Sequence, residues 1–264
     1  MYLDTLHRYL LYNNLGHGNL NTSRIIFLGN EPGLAASTAE QFVENLKTKV
    51  ETNQVNLIGE TWRDGFLLKT EGEAPVTSIF VQFIARLMLA LREQQEYWFY
   101  NLTFADRIKL NNYILTEFHK TESSTVNIRP LPRPTEDLWI YQNVSEKGYK
   151  KEFDFSIQGY ERGVATYERF MKIKKVLELS NREIIVGVGD KRNKELFFKY
   201  LYPDITFKEL IFPPHRPFLW NKERNIILCD YFDNRNGIKL EGLRIVYQII
   251  RNIQGRLLPS FFIL

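Results

Sequence analysis

The residues best suited to chemistry are gathered in one short stretch, Gly29-Asn30-Glu31-Pro32-Gly33. It offers one carboxylate and one carboxamide in a turn whose glycines and proline fix the backbone and let a substrate approach closely. A carboxylate held in this way can orient or deprotonate a water and stabilise a developing cation. Upstream, Ile25-Ile26-Phe27-Leu28 is an apolar run that reads as a buried strand. Downstream, Ser37-Thr38-Ala39-Glu40 reads as a helix start. The turn therefore falls at the carboxyl end of a strand, where open α/β sheets bind their ligands. An ordinary strand-to-helix turn, with Glu31 capping the helix, fits the same residues when they are taken alone.

A second stretch, Val126-Asn127-Ile128-Arg129-Pro130-Leu131-Pro132, adds to the first. The carboxamide of Asn127 has a donor pair and an acceptor, which suits the edge of a pyrimidine held out of the stack. The prolines that follow stiffen the loop, so less entropy is lost when it meets a partner. Arg129 and Arg133 are candidates for phosphate contacts. A third stretch, Ile184-Ile185-Val186-Gly187-Val188-Gly189, reads as another strand.

These three stretches, in this order, resemble the uracil-DNA glycosylase superfamily, particularly its single-strand-selective monofunctional branch. There the first motif looks like G-x-N-P-G and the second like N-x-x-P-L. The resemblance spans roughly residues 24 to 255. It implies an α/β fold of three αβα layers around a mostly parallel four-stranded central sheet. It also implies hydrolysis of an N-glycosidic bond, in which the sugar acquires oxocarbenium character as the base leaves. Glu31 falls on the catalytic Asp/Asn position, one methylene longer than Asp, with Asn30 beside it and Gly29, Pro32 and Gly33 shaping the substrate turn. Asn127 falls on the asparagine that reads the flipped base. Phe66 is chosen over Trp62 as the ring stacking on that base.

The family's H-P-S-P signature has no plain counterpart here. Pro213-Pro214-His215-Arg216-Pro217 lies at nearly the expected distance from Gly187, which gives His215 the role of stabilising the anionic leaving base. Alternatively Tyr231-Phe232-Asp233-Asn234-Arg235-Asn236 aligns with H-P-S-P-R-N, and Tyr231 takes that place. Spacing and chemistry favour His215. Arg216 and Arg235, one in each segment, are expected to face DNA.

Around these motifs the elements alternate. Helices are expected over 2–15, 38–50, 76–95, 104–118, 164–179, 191–201 and 239–253. Strands are expected over 24–28, 124–128, 183–188, 205–212 and 225–229. The first helix carries Leu3, Leu6, Leu10 and Leu11 on one face, and Pro75 signals the start of the third. Residues 52–74 read as loop. Residues 129–163, rich in Pro, aromatic and charged residues, read as a long functional loop or insertion in a single domain of 264 residues. Its Trp139, Tyr141 and Tyr149 interleave with Lys147, Lys150 and Lys151, a mixture suited to splayed or single-stranded DNA. This βαβ alternation argues for a parallel sheet flanked by helices.

Composition narrows the functional classes. A net charge of +4 and a pI near 8.9 suit weak, salt-sensitive attraction to phosphate backbones. The single Cys229 excludes an internal disulfide and a thiolate metal cluster, and points to a reducing, cytoplasmic setting. No apolar stretch is long enough to span a bilayer, and no signal peptide is evident. Scattered histidines do not form a metal site, and there is no Walker loop, GxGxxG or HExxH. DNA is the expected partner, with no cofactor, no metal and no obligate protein partner evident. The expected function is a monofunctional DNA glycosylase acting on a modified or damaged pyrimidine. A non-catalytic binding module on the same fold and a nucleotide-processing α/β enzyme of other lineage are the alternatives.

Overall fold

Successive side chains of the strand Ile25–Gly29 point to opposite faces, and both faces are apolar. Ile25 and Phe27 enter one core cluster, whereas Ile26 and Leu28 enter another. A strand buried on both sides belongs in the middle of a sheet covered by helices above and below. The computed structural model describes residues 5–20, 22–30, 40, 44, 79–118, 122–133, 138–154, 163–180, 182–233 and 237–255, and has this α/β architecture.

In chain order the elements are α1 (Thr5–Asn13), β1 (Gly16–His17), β2 (Ile25–Gly29), α2 (Ile79–Glu93), a 3-10 turn (Glu96–Phe99), α3 (Phe104–Thr116), β3 (Ser123–Asn127), α4 (Glu146–Glu152), α5 (Val164–Leu179), β4 (Ile184–Val188), α6 (Lys191–Leu201), β5 (Lys208–Leu210), β6 (Phe218–Asn221), β7 (Ile226–Cys229) and α7 (Lys239–Ile253). The sheet runs β1-β3-β2-β4-β7-β6-β5. Its middle four strands, β3-β2-β4-β7, are parallel. The sheet is thus larger than the four strands expected, and mixed. β1 adds to β3 antiparallel, and the β5–β6 hairpin adds to β7 antiparallel. These short strands satisfy the outward N–H and C=O groups of β3 and β7, which would otherwise be open edges.

The chain passes from β2 to β3 on one side and later returns to β4 on the other, so β2 sits where the strand order reverses. Helices leaving such a point diverge and open a crevice at the strand carboxyl ends. One layer holds α2, α3, the 3-10 turn and α7; the other holds α1, α5 and α6. α2 is apolar nearly all round, with Val81, Phe83, Ile84, Ala85 and Leu87–Leu91 buried, as a central helix requires. α3 begins with a capping box in which Thr103 and Asp106 each bind the other's backbone N–H.

Two expectations need correction. The described part of residues 129–163 contains α4 and contributes to the core: Tyr141, Tyr149 and Phe153 are buried, with Phe153 against Phe170 of α5. Leu6 of α1 is exposed, while Leu10 and Leu11 are buried. The helix expected over 38–50 and the loop over 52–74 lie outside the described residues, except for Glu40 and Glu44, which are helical. No helix among the described residues is long and apolar enough to cross a membrane.

Candidate active site at the carboxyl ends of the parallel strands

Gly29 and Asn127 are register partners in the last pair of the β2–β3 ladder. Two segments about a hundred positions apart are thereby set side by side. Beyond the strands the pairing continues, because Ile128 N–H donates to Gly29 C=O at 3.1 Å and Arg129 N–H to Asn30 C=O at 2.6 Å. Asn127 is only 4 % exposed, and its carboxamide lies across Gly29. On its other side, Asn127 N–H donates to Leu15 C=O at 2.8 Å.

Beneath this corner is Arg169 of α5, fully buried. Its guanidinium donates to four carbonyls, those of Asn127 (2.6 Å), Ile128 (2.8 Å), Tyr12 (2.7 Å) and Asn14 (3.0 Å). A planar fork of five donors can serve several carbonyls at once, which no other side chain can do. Arg169 therefore ties the loop after β3 to the segment after α1. Burial pulls its pKa down to about 10, so it stays protonated at neutral pH.

The end of β4 supplies the rest. Gly189 has φ +101°, a conformation that side chains other than glycine's rarely adopt. Asp190 then caps α6 by accepting from Asn193 N–H at 3.1 Å. One turn on, Lys194 is 0 % exposed and donates from Nζ to Asn30 Oδ1 at 2.6 Å. Lysine is among the residues least often fully buried. After β7 comes Tyr231, 54 % exposed and stacked on Phe80 of α2, with centroids 5.7 Å apart. Next to it, Lys191 holds Asp230 at 3.2 Å and Pro217 C=O at 2.7 Å.

The structure brings Gly29, Asn30, Asn127 and Tyr231 to this end of the sheet, and adds Lys194, which the motifs did not indicate. Its signal was available: Lys194, Phe197, Phe198 and Leu201 share the buried face of α6, so a cation stands in an apolar stripe. His215 lies in the β5–β6 loop, which also emerges beyond the carboxyl end of β7, and packs on the first turn of α7. Its Nε2 is 3.7 Å from Glu241 Oε2, and its Nδ1 lies 3.5 Å from where a Gly242 side chain would start. Arg133, expected at phosphates, is buried at 3 % exposure, over the Trp139 ring and 3.6 Å from Glu146. Arg216 is exposed and Arg129 half-buried. Glu31, Pro32, Gly33, Phe66 and Arg235 lie outside the described residues.

At the amino ends of the strands, Arg24 pairs with Glu183 through two hydrogen bonds, and Arg92 bridges Glu117 and Glu122. A groove of about 360 Å³ between α2 and α3 adjoins the Arg92 bridge, away from the crevice. Among the described residues no group of three or more His, Cys, Asp or Glu could hold a metal ion. Cys229 is buried, and desolvation pushes its thiol up to about 12, which suits packing rather than nucleophilic attack.

Fold and site together define an α/β protein whose switch point brings two carboxamides, a buried ammonium and an aromatic ring to the carboxyl ends of its parallel strands. No protein-family model matches the chain, and no curated protein matches its sequence.

Proposed function

We propose that this protein is a monofunctional DNA glycosylase of the uracil-DNA glycosylase type, which extrudes a modified pyrimidine and hydrolyses its N-glycosidic bond. The observation that carries the reading is the pairing of Gly29 with Asn127 at the strand ends. The turn with the chemistry and the carboxamide suited to a base edge are neighbours at the one point of the sheet where ligands gather. Tyr231, following the last parallel strand and reaching the same crevice, supports the alignment in which it stands for the family's histidine.

In this mechanism Glu31 orients a water and offsets the positive charge that develops on the sugar. The water oxygen bonds to C1′ as the C1′–N bond breaks, and that bond's electron pair leaves on the base. The water gives up a proton, the base later takes one, and an abasic site remains. Asn127 reads the extruded base by its donor and acceptor pair.

The leaving-group side differs from the uracil pattern, which directs the proposal to altered bases. A bulky pyrimidine, such as the hydroxymethylated or glucosylated cytosine of phage DNA, fits this substrate class, and defence against phage in the cytoplasm fits that substrate. The test is release of free base, followed by mass spectrometry, from a panel of oligonucleotides and from phage genomes with modified cytosine. Release of a modified pyrimidine, with alkali-labile sites left behind, is expected. Efficient excision restricted to uracil in duplex DNA overturns the substrate proposal. DNA binding without release from any substrate favours a non-catalytic module.

A further inference from the structure

The three atoms nearest the place of Gly189's missing side chain come from an ammonium, an amide N–H group and a ring edge. The point where its Cβ would stand is 3.4 Å from Lys194 Nζ, 3.7 Å from Asn30 Nδ2 and 3.8 Å from Tyr231 Cδ2. An ammonium has only protons to give, so its bond to Asn30 requires the carboxamide oxygen to face Lys194. The amide nitrogen is thereby turned toward the Gly189 side. The third neighbour is a ring edge, the positive part of an aromatic quadrupole. Three elements thus converge on one small space, each presenting a donor or a positive edge.

Lys194 is fully buried and lies within the first turns of a helix, where the macrodipole opposes a cation. Conflicts between local preference and placement concentrate at functional sites. We propose that Lys194 is a positioning residue that locks Asn30 as a hydrogen-bond donor, and that the Gly189 cradle receives an electron-rich oxygen of the departing base. The chemical half of this inference rests on the glycosylase reading; the geometric half does not.

The geometry is read first, by NMR. The Asn30 side-chain amide gives a resolved pair of ¹H–¹⁵N resonances, identified by their loss in Asn30→Ala. In Lys194→Met, a variant that keeps an unbranched buried stem, this pair is expected to shift or broaden while the dispersed backbone spectrum persists. A pair unmoved in a folded Lys194→Met protein overturns the positioning role, whether or not the protein excises any base.

Chemistry is read next, by single-turnover excision. Lys194→Met and Asn30→Ala are each expected to slow release by about 10²-fold, the scale for losing one charge-stabilising donor. The double variant is expected to lose little more than either single one. The defect shrinks for a more acidic leaving base such as 5-fluorouracil, which needs less stabilisation. Losses that multiply, or that ignore leaving-group acidity, overturn the cradle. Should Lys194→Met not fold, Asn30→Asp replaces it: the carboxylate keeps the contact with Lys194 but has no N–H to give. It should be at least as stable as Asn30→Ala and equally slow. Near-normal excision by Asn30→Asp, or stability below that of Asn30→Ala, overturns the inference. If wild-type protein releases no base, the glycosylase reading falls, and the amide spectrum, or the stability comparison, decides the role of Lys194.

Discussion

The Asn127 carboxamide oxygen lies 2.5 Å from the point where a Gly29 side chain would begin, so the residue proposed to read the base and the residue ending the first parallel strand share one small volume. A methyl group there cannot coexist with the present rotamer of Asn127, whose buried position leaves little room to turn.

Gly29→Ala is therefore expected to destabilise the protein by about 1–3 kcal/mol, the usual cost of overpacking. More tellingly, it should reproduce the phenotype of Asn127→Ala, a flattened preference across modified pyrimidines. Thermal unfolding measures the first effect and the oligonucleotide panel the second. A Gly29→Ala protein that discriminates among bases as the wild type does would separate Asn127 from recognition.

Glu31→Gln keeps size and shape while removing the charge proposed to stabilise the sugar cation and orient water. Base release is expected to fall by about 10²–10⁴-fold, with DNA binding largely retained. Single-turnover kinetics and gel-shift titration on the same oligonucleotide separate the two. Near wild-type excision would remove Glu31 from the mechanism.

Arg169→Met leaves four buried carbonyls without their donor. A loss of about 3 kcal/mol or more is expected, since each orphaned buried group costs about 1–3 kcal/mol. Arg169→Lys should recover only part of it, because an ammonium is a point donor and cannot span the fork. Denaturant titration ranks the three proteins. If Lys proves equivalent to Arg, the four-way geometry is not what matters.

The buried thiol of Cys229 gives a pH dependence of known sign. Burial raises its pKa from 9 to about 12, so the native state holds this proton more tightly than the unfolded chain does. Its contribution to stability is complete below pH 9 and is lost as pH rises from 9 toward 12. Over that window, stability should fall less steeply in Cys229→Ala than in the wild type. At neutral pH a thiol reagent should label Cys229 only after unfolding, and rapid labelling of native protein would contradict its burial.

The sequence revealed elements through their apolar period, so the four parallel strands and most helices were legible. Two of the antiparallel strands were not: Gly16–His17 is too short to show a period, and Phe218–Asn221 hides between a proline-rich segment and the last parallel strand. Motif spacing singled out Gly29, Asn30 and Asn127, which the β2–β3 pairing and the Lys194 contact bring to one end of the sheet, and it favoured His215 over Tyr231 without the packing of β6 and α7 around either residue. Lys194 was missed because a lysine in a helix reads as a surface residue whose stem covers apolar neighbours. Arg133 misled for the opposite reason. Arginine among prolines reads as an exposed contact, whereas the ring of Trp139 and the carboxylate of Glu146 draw it inward.

The crevice is assembled from the ends of four strands that are far apart in the chain, from Asn30 through Asn127 and Gly189 to Tyr231. A chain growing from its N-terminus makes Gly29 and Asn30 early and can pair them with β3, yet Tyr231 joins them only after the last parallel strand has left the ribosome. Arg169 comes midway and must be made before the segment after α1 can be pinned to the loop after β3. Unfinished chains can thus gather helices and some of the sheet before the four strand ends meet.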